Sequence, residues 1–467
     1  MSVFNTIALI LCLVPGGRAH SAPADEPFSE EQRAVQYGLL TAGVTQAGIP
    51  ALRAAAEAGD PKAQFKLAIM YYHGVGLAQS YTQAMRWYKK AAVGGNTMAQ
   101  SVLGMAYQTG LGLDKDYGQA MRWDQRAAAQ GVDNAQCNLG LLYQQGLGTP
   151  RSYPQALRWF RLAAGRGNVE AMGNLARMYQ FGEGMPPDFF EARRWFRKAA
   201  DLGDPGAQAS LGYLYAQGLG VERDYVRARR WWLEAAKAGD ADAQCDLGLA
   251  CFKGQGAPMD RAAGLRWARQ AADGGSARGD YVLGRMLESS GRPGDEARAL
   301  DRFRKAAERG SAPARCAIAD FYYRGRCVPQ DFRAALRWNR EAAEQDWAPA
   351  EFNVGFMEEE GQGTPPDAAQ ALHWLELAAE QGHGDAQGGL AALYLNGQGT
   401  ARDDVQAYKW FALAALSPGL PAADRQKAVR LRDLAAARLS ADQLARAQAL
   451  LRRWRPRASR DPDPSDG

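Results

Sequence analysis

The chain has 467 residues, of which 46% are hydrophobic and 10% aromatic, enough apolar material for an extended core. Its 52 Gly and 22 Pro fall below the content typical of low-complexity disordered chains. The 56 basic and 51 acidic residues leave a net charge of +5, which argues against a dedicated nucleic-acid-binding protein.

The amino terminus contains a short apolar run, Thr6 to Val14. A bilayer-spanning helix needs about 20 residues, so this run has instead the length of the hydrophobic region of a secretory signal. The small residues of Ala22-Pro23-Ala24 suit cleavage. We therefore predict a signal peptide at 1–24, no stable membrane span, and a periplasmic or secreted protein. If the start or the signal is wrongly assigned, the protein is cytoplasmic.

The next segment has the pattern of two helices. Ser29 followed by Gln32 forms a capping box, which predicts a helix start. Residues 50–58 repeat the apolar pattern of the second helix in the repeats that follow. We predict that residues 25–59 form N-terminal capping helices.

A 36-residue period dominates the rest of the chain. A pair of alanines follows each repeated Trp, and between the sixth and eighth repeats one residue is missing and Arg302 takes the Trp position. The repeated tryptophans are Trp87, Trp123, Trp159, Trp195, Trp231, Trp267, Trp338, Trp374 and Trp410. This period divides residues 60–418 into ten repeats: 60–95, 96–131, 132–167, 168–203, 204–239, 240–275, 276–310, 311–346, 347–382 and 383–418.

Each repeat has the pattern of two short helices. In the second repeat, Ala99, Leu103 and Tyr107 fall on one face of a first helix that Gly110 ends. The stretch around Trp123 has the same spacing and indicates a second helix. A two-helix hairpin cannot bury its apolar stripe alone, so the repeats must stack on one another. The spacing therefore predicts an all-α solenoid.

Two more helices are predicted after the repeats. Residues 419–454 have the pattern of C-terminal capping helices, which close the apolar end of a solenoid. Residues 455–467 lack apolar side chains, and we predict that this tail is disordered.

The sequence contains no group of residues with the pattern of a catalytic or metal site. The four histidines, at 20, 73, 373 and 383, lack metal-ligand spacing, and there is no Cys-x-x-Cys motif. We therefore predict no catalytic residues, no cofactor, no metal and no enzyme activity. Five cysteines follow the predicted signal, an odd number, and whether any of them pair stays open.

The consensus A-x-A-Q-x-x-L-G-x-x-Y-x-x-G-x-G-V-x-x-D-Y-x-x-A-x-x-W-Y-x-x-A-A resembles the Sel1-like repeat family, relatives of the tetratricopeptide repeats. The resemblance covers all ten repeats and implies a right-handed α-solenoid of helix-turn-helix repeats with helical caps. It also implies a protein-binding scaffold, often exported in bacteria. The seventh repeat departs from the pattern, because Ser289-Ser290-Gly291 replaces its Gly-x-Gly turn. We expect the array to be weakest there.

The resemblance also ranks the residues that contact a partner. In tetratricopeptide repeats the first helix lines the concave face, and its residues near the Leu-Gly-x-x-Tyr motif reach the ligand. Transferred by register, these are Phe65, Ile69, Tyr72, Met105, Gln108, Gln144, Arg177, Phe181, Tyr213, Phe252, Tyr281, Arg285, Tyr323, Arg324 and Phe352. Aromatic residues and Arg are typical interface anchors.

From this combination of aromatic, Arg and Gln side chains we predict a protein or peptide ligand and no nucleic acid. The alternative is a carbohydrate or peptidoglycan-binding module, since exposed aromatics and Gln also suit sugars. We expect the repeated tryptophans, Trp231 among them, to be buried and structural.

Overall fold

The structure is a computed structural model, and it describes residues 48–457. Within this range it contains 23 α-helices and no β-strand, which confirms the predicted all-α class. The predicted signal peptide, the helix expected from Ser29 and residues 458–467 of the predicted tail lie outside the described residues.

In chain order the helices are α1 (Ile49–Glu57), α2 (Pro61–His73), α3 (Tyr81–Val93), α4 (Thr97–Thr109), α5 (Tyr117–Ala129), α6 (Asp133–Gln145), α7 (Tyr153–Gly165), α8 (Val169–Phe181), α9 (Phe189–Asp201), α10 (Pro205–Gln217), α11 (Tyr225–Lys237), α12 (Ala241–Lys253), α13 (Arg261–Asp273), α14 (Ala277–Glu288), α15 (Asp295–Glu308), α16 (Ala312–Arg324), α17 (Phe332–Ala343), α18 (Ala348–Glu360), α19 (Ala368–Glu380), α20 (Gly384–Asn396), α21 (Asp404–Leu416), α22 (Ala422–Ala436) and α23 (Ala441–Arg453).

The chain divides into two compact units, Met1–Trp231 and Trp232–Gly467, which we call the N-unit and the C-unit. In both, the even-numbered helices α2 to α20 are the first helices of the ten repeats, and the odd-numbered helices α3 to α21 are the second helices. Within each unit consecutive helices of the repeats pack on one another, and α12 also contacts α14, the next first helix. This tandem stacking is the predicted α-solenoid.

Side-chain caps fix where the helices begin. At the start of α4, Asn96 Oδ1 accepts a hydrogen bond from the Ala99 backbone N–H at 2.9 Å. At the start of α5, Asp116 Oδ1 accepts one from the Gln119 backbone N–H at 2.9 Å. Such a cap is worth about 1 kcal/mol. The first helix ends at Gly110, whose φ of 80° lies in the left-handed region that favours glycine, as the sequence predicts.

The small residue in the middle of each first helix makes room for a large residue on the second helix. In the third repeat, a Cβ added to Gly140 would lie 2.5 Å from a ring carbon of Phe160. Phe160 is fully buried, and its position follows the repeated Trp159 directly. The large buried residues at this position are Tyr88, Phe160, Phe196, Trp232, Phe303, Leu375 and Phe411.

The repeated tryptophans themselves are less buried than the sequence predicts. Trp231 is only half-buried, whereas its neighbour Trp232 is 5% exposed, so the expectation of a buried Trp231 is wrong. One residue along a helix turns the side chain by about 100°, which moves it from the contact between paired helices toward their flank. There the Arg197 guanidinium lies 5.0 Å from the Trp231 ring centroid. Of the nine repeated tryptophans only Trp123 and Trp410 are fully in the core.

A repeated glutamine links six of the ten first helices to the helix before them. In the second repeat, Gln100 Nε2 donates to the Ala92 carbonyl at 3.1 Å. This bond satisfies one of the carbonyls that a helix end leaves without a partner inside the helix. The same bond, to the residue eight positions earlier, is formed by Gln64, Gln100, Gln136, Gln208, Gln244 and Gln387.

The seventh repeat has a charged residue where six of the other repeats have this glutamine. Asp280 occupies the position, is fully buried, and accepts hydrogen bonds from Arg302, at 3.0 Å, and from Arg309. The first helix ends at Ser289 rather than at a left-handed glycine. In the altered turn, Ser290 Oγ donates to Asp295 Oδ2 at 2.6 Å. A cluster of one Asp and two Arg therefore replaces the glutamine hydrogen bond, and a serine–aspartate hydrogen bond stabilises the altered turn.

Two helices follow the last repeat. Both α22 and α23 pack against α21, and the rings of Trp410 and Trp454 meet edge to face with centroids 6.4 Å apart. Residues 455–457, assigned from the sequence to a disordered tail, instead pack against α19. The Arg457 backbone N–H donates to the Glu380 carbonyl at 2.7 Å, and its guanidinium lies 3.6 Å from Asp346.

Candidate functional site

The first helices of the C-unit line a groove. Its largest part is a cavity of about 770 Å³ between side chains of α14, α16, α18 and the start of α20. Two smaller cavities continue it, one of about 290 Å³ that shares Tyr281 and Arg285, and one of about 240 Å³ that shares Asp320 and Asn353. Because the three cavities share residues, they form one elongated groove, which we call the C-unit groove.

The C-unit groove contains all six C-unit residues that the sequence assigns to partner binding. They are contributed by α12, α14, α16 and α18, one or two residues per repeat. These residues are Phe252, Tyr281, Arg285, Tyr323, Arg324 and Phe352. The register taken from the tetratricopeptide repeats therefore selects residues that the fold brings to one surface.

Arginines balance the carboxylates on the groove wall. Asp320 accepts hydrogen bonds from Arg324 Nε at 2.6 Å and from Arg326 Nη2 at 2.9 Å. Glu288 accepts from Arg326 Nη2 at 2.5 Å and from Arg285 Nη1 at 3.1 Å. Since Asp320 and Glu288 each have two arginine partners, this part of the wall is polar without a dominant charge. Contact area on a ligand must come largely from the aromatic side chains.

One end of the groove contains an aromatic pair of which the sequence analysis named only Phe352 as a binding residue. The His383 ring stacks on Phe352 with centroids 5.0 Å apart and an interplanar angle of 23°. His383 Nδ1 also caps α20 by accepting from the Ala386 backbone N–H at 3.3 Å. Burial lowers the pKa of His383, so the ring is neutral at pH 7 and Nδ1 stays an acceptor.

A signal for this end of the groove was present in the sequence. The residue before each first helix is usually an N-cap of the Asp, Asn or Ser type, as at Asp240, Ser276 and Ser311. The ninth and tenth repeats instead carry Trp347 and His383 there, and both line the groove. Val132 of the third repeat also departs from this pattern, so the departure alone does not identify a binding surface; at Trp347 and His383 it coincides with the groove.

The nine predicted binding residues of the N-unit have varied surroundings. Ile69 is 5% exposed and packs in the core, so it does not lie on a binding surface. Phe65 and Tyr72 are half-buried and pack against Tyr88, with ring centroids 5.7 and 6.5 Å away. The physical reason is again that neighbouring residues on a helix point about 100° apart, so a difference of one position separates a core side chain from a surface one.

The other predicted residues of the N-unit form polar contacts, are exposed or are half-buried. Gln144 Nε2 donates to Glu183 Oε2 at 2.6 Å, and Arg177 is exposed and donates to Asn174. Phe181 is exposed, while Met105 and Tyr213 are half-buried.

Beneath Gln108 lies a buried acid that the sequence analysis did not single out. Asp124 is fully buried and occupies the position that holds Phe160 in the next repeat. Gln108 Nε2 and Asn138 Nδ2 donate to its carboxyl oxygens at 2.9 and 3.5 Å. Burial raises the pKa of Asp124 well above its usual range, against the effect of these hydrogen bonds.

Within residues 48–457, no cluster of three or more His, Cys, Asp or Glu side chains is arranged to hold a metal ion. Over the same residues no helix combines the length and apolarity that a membrane crossing requires. Cys137 and Cys245 are buried and Cys316 is half-buried, at equivalent positions of three repeats.

Comparison with known proteins gives a match along the whole repeat array. The model of the Sel1 repeat matches ten consecutive segments: 61–96, 97–132, 133–168, 169–204, 205–240, 241–276, 277–311, 312–347, 348–383 and 384–418. These are the ten predicted repeats, each beginning one residue later.

Two solved structures are similar to the chain. A protective antigen of uropathogenic Escherichia coli with an SLR fold, c5321, is 33% identical, with 86% of this chain and 85% of that one covered and a TM-score of 0.56. A Sel1 repeat protein from Oxalobacter formigenes is 31% identical over 52% of this chain and 96% of that one, with a TM-score of 0.48. No curated protein shows significant similarity to the chain.

Proposed function

The chain belongs to the Sel1 repeat family, and from this premise we propose that it is a non-enzymatic scaffold whose C-unit groove binds a peptide or protein segment. Folds of this type generally mediate protein–protein interaction, and Sel1 repeat proteins are generally non-catalytic. The observation that carries the proposal is the groove itself, elongated, aromatic and lined by all six C-unit residues chosen by register.

The dimensions of the groove suit an extended segment. Neighbouring helices pack about 10 Å apart, so the five first helices from α12 to α20 span about 40 Å. An extended chain rises about 3.3 Å per residue, so about twelve residues fit along this length. Tyr281, Tyr323 and Phe352 come from successive repeats, and helices about 10 Å apart match about every third residue of such a segment.

The test is a peptide selection followed by affinity measurements. Peptides selected from a displayed library on the full-length chain are titrated by calorimetry against Phe356→Ala and Arg285→Ala, two exposed groove residues. We expect each variant to bind at least about tenfold more weakly at an unchanged melting temperature. Met259→Ala and Arg269→Ala are the matched controls, since both residues are exposed outside the groove. Equal weakening by the controls would contradict the proposal.

A saccharide is the second candidate ligand. The stacked rings of Phe352 and His383 stand beside the amides of Asn353 and Gln381, and this combination can stack on a sugar ring and hydrogen-bond its hydroxyl groups. Co-sedimentation with purified peptidoglycan, abolished by Phe356→Ala, together with failure to select any peptide, would favour this candidate over the first.

We further propose that the scaffold acts in the bacterial envelope or outside the cell. The support is the apolar run from Thr6 to Val14, followed by small residues suited to cleavage. Residues 1–30 fused to a reporter that is active only outside the cytoplasm should give activity. A full-length protein that stays uncleaved in the cytoplasm would contradict this localisation.

A further inference from the structure

The second helices of the N-unit carry a strongly basic outer surface. On α3 the residues at 82, 86, 89, 90 and 93 are exposed and lie within an arc of about 100° around the helix axis. We call these five positions, and their equivalents 36, 72 and 108 residues later on α5, α7 and α9, the outer stripe. Ten of its twenty positions are basic: Arg86, Lys89, Lys90, Arg122, Arg126, Arg158, Arg161, Arg194, Arg197 and Lys198.

Few of these cations are neutralised. Asp201 is the one acidic residue in the outer stripe, and it pairs with Arg197 at 2.8 Å. Arg194 pairs with Glu191 at 3.1 Å. Over the described residues the other eight basic side chains form no ion pair with an acidic group. The outer stripe therefore presents a largely uncompensated positive charge to solvent.

The charge is not a general property of the repeat. The equivalent positions of the C-unit carry both signs, for example Arg266 and Arg269 with Asp273 on α13. On α19 the same positions hold Glu376 and Glu380 and no Lys or Arg. Since the solenoid forms equally well with either sign at these positions, stacking of the repeats does not account for the basic outer stripe.

Contacts with tryptophan hold several of the cations on the surface. Lys90 Nζ lies 4.2 Å from the centroid of the Trp87 ring, and Lys198 Nζ lies 4.1 Å from that of Trp195. Such contacts limit the conformations of long side chains before any partner arrives. They also cover the ring faces, which leaves less open aromatic surface for stacking nucleic-acid bases.

Exposed apolar side chains interrupt the basic residues. Val93, Leu162 and Phe190 occupy outer-stripe positions on α3, α7 and α9 and are 72%, 43% and 58% exposed. Cations beside exposed apolar side chains suit the interface of an anionic bilayer, where headgroups attract the charges and apolar groups reach the acyl boundary. The four helices, each about 20 Å long and about 10 Å apart, spread the charge over a surface rather than along one track.

We propose that the outer stripe of the N-unit docks the protein on the surface of an anionic lipid bilayer. Binding is peripheral, through headgroup contacts of the Lys and Arg side chains and shallow insertion of Val93, Leu162 and Phe190. It leaves the C-unit groove to its own ligand, so the proposal does not depend on what that groove binds.

The test measures co-sedimentation of the full chain with vesicles. Vesicles of phosphatidylcholine alone are compared with vesicles that contain about 30% phosphatidylglycerol, and we expect at least about tenfold tighter binding to the anionic vesicles, lost at about 1 M salt. The triple variant Arg86→Glu, Arg122→Glu and Arg158→Glu should lose at least about tenfold in affinity. Arg266→Glu, Arg269→Glu and Arg337→Glu change the net charge equally at equivalent C-unit positions and should bind like the wild type.

A second variant separates a bilayer from a soluble polyanion. Val93→Ser, Leu162→Ser and Phe190→Ser together should weaken binding to anionic vesicles at least about threefold and leave binding to dextran sulfate unchanged. Circular dichroism melting of each variant checks that it is folded. The proposal is overturned if both kinds of vesicle bind equally, if the C-unit control loses as much affinity as the N-unit variant, or if single-stranded DNA or dextran sulfate binds more tightly than anionic vesicles.

Discussion

The neighbours Trp159 and Phe160 on α7 allow a direct test of which residue of each repeat holds the hairpin together. Phe160 is fully buried, and its ring fills the space left by Gly140 on α6. Trp159 is the larger residue and the one that recurs every 36 positions, but it is only half-buried. Burial therefore predicts that the smaller and less regularly repeated residue contributes more to stability.

Phe160→Ala should cost about 3–5 kcal/mol, because it removes a buried ring and leaves a cavity that the backbone of α6 cannot fill. Trp159→Ala should cost less, because part of its side chain already lies in water and less apolar surface is exposed on truncation. In a stacked array the loss also reaches the neighbouring repeats, so Phe160→Ala should lower protection on both sides of the third repeat.

The assay is urea unfolding followed by circular dichroism, together with native-state hydrogen exchange resolved by repeat. The ordering of the two variants is the decisive result. If Trp159→Ala destabilised the protein more than Phe160→Ala, the interlock between Gly140 and Phe160 would not be the main contact of the hairpin. The explanation given for the small residue in each first helix would then fail.

The remaining predictions concern the seventh repeat and two buried carboxyl groups. Hydrogen exchange should show residues 276–310 opening at a lower free energy than the second to fifth repeats, and uniform protection would contradict this. Burial raises the pKa of Glu351 to about 7, so its stabilisation, full below about pH 4.3, is lost as the pH rises through 7. Glu351→Gln, which restores the repeated glutamine, should therefore raise the urea midpoint at about pH 8 and change little at about pH 5; equal midpoints at pH 8 would count against it. Asp124 also has a raised pKa, so wild-type stability should fall with rising pH above about 4, and Asp124→Asn should reduce this slope. An unchanged slope would show that Asp124 is not the group responsible.

The sequence was sufficient for the fold because its main signal is repetition. The 36-residue period, the capping residues and the glycine turns are each local features, and their agreement over ten copies leaves one arrangement of helices. Depth of burial is harder to predict. The Trp of which Trp231 is one copy recurs in nine repeats, yet Trp231 is only partly buried. The residue after it varies among repeats as Tyr, Asp, Phe, Trp, Ala, Leu and Asn, yet faces the paired helix. The recurrence of a residue thus indicates a structural role but does not predict how deeply its side chain is buried.

For the candidate site too, the sequence predicted some of the residues and missed others. Register alone placed Tyr281, Arg285 and Phe352 on the C-unit groove, because equivalent positions of stacked repeats share a surface. Register failed for Ile69, where one step around the helix separates the groove side from the core. It also missed His383, which reaches the groove from a capping position and not from the predicted helix face.

The most direct test of the central claim is photo-crosslinking from the C-unit groove. Benzoylphenylalanine is placed at position 356, whose native Phe356 lines the groove, and as a control at position 259, whose native Met259 is exposed elsewhere on the C-unit. With a selected peptide ligand, we predict a crosslinked product from position 356 and none from position 259, and mass spectrometry should place the link within the peptide. Crosslinking from position 259 alone, or equally from both positions, would contradict the claim that the groove is the binding site.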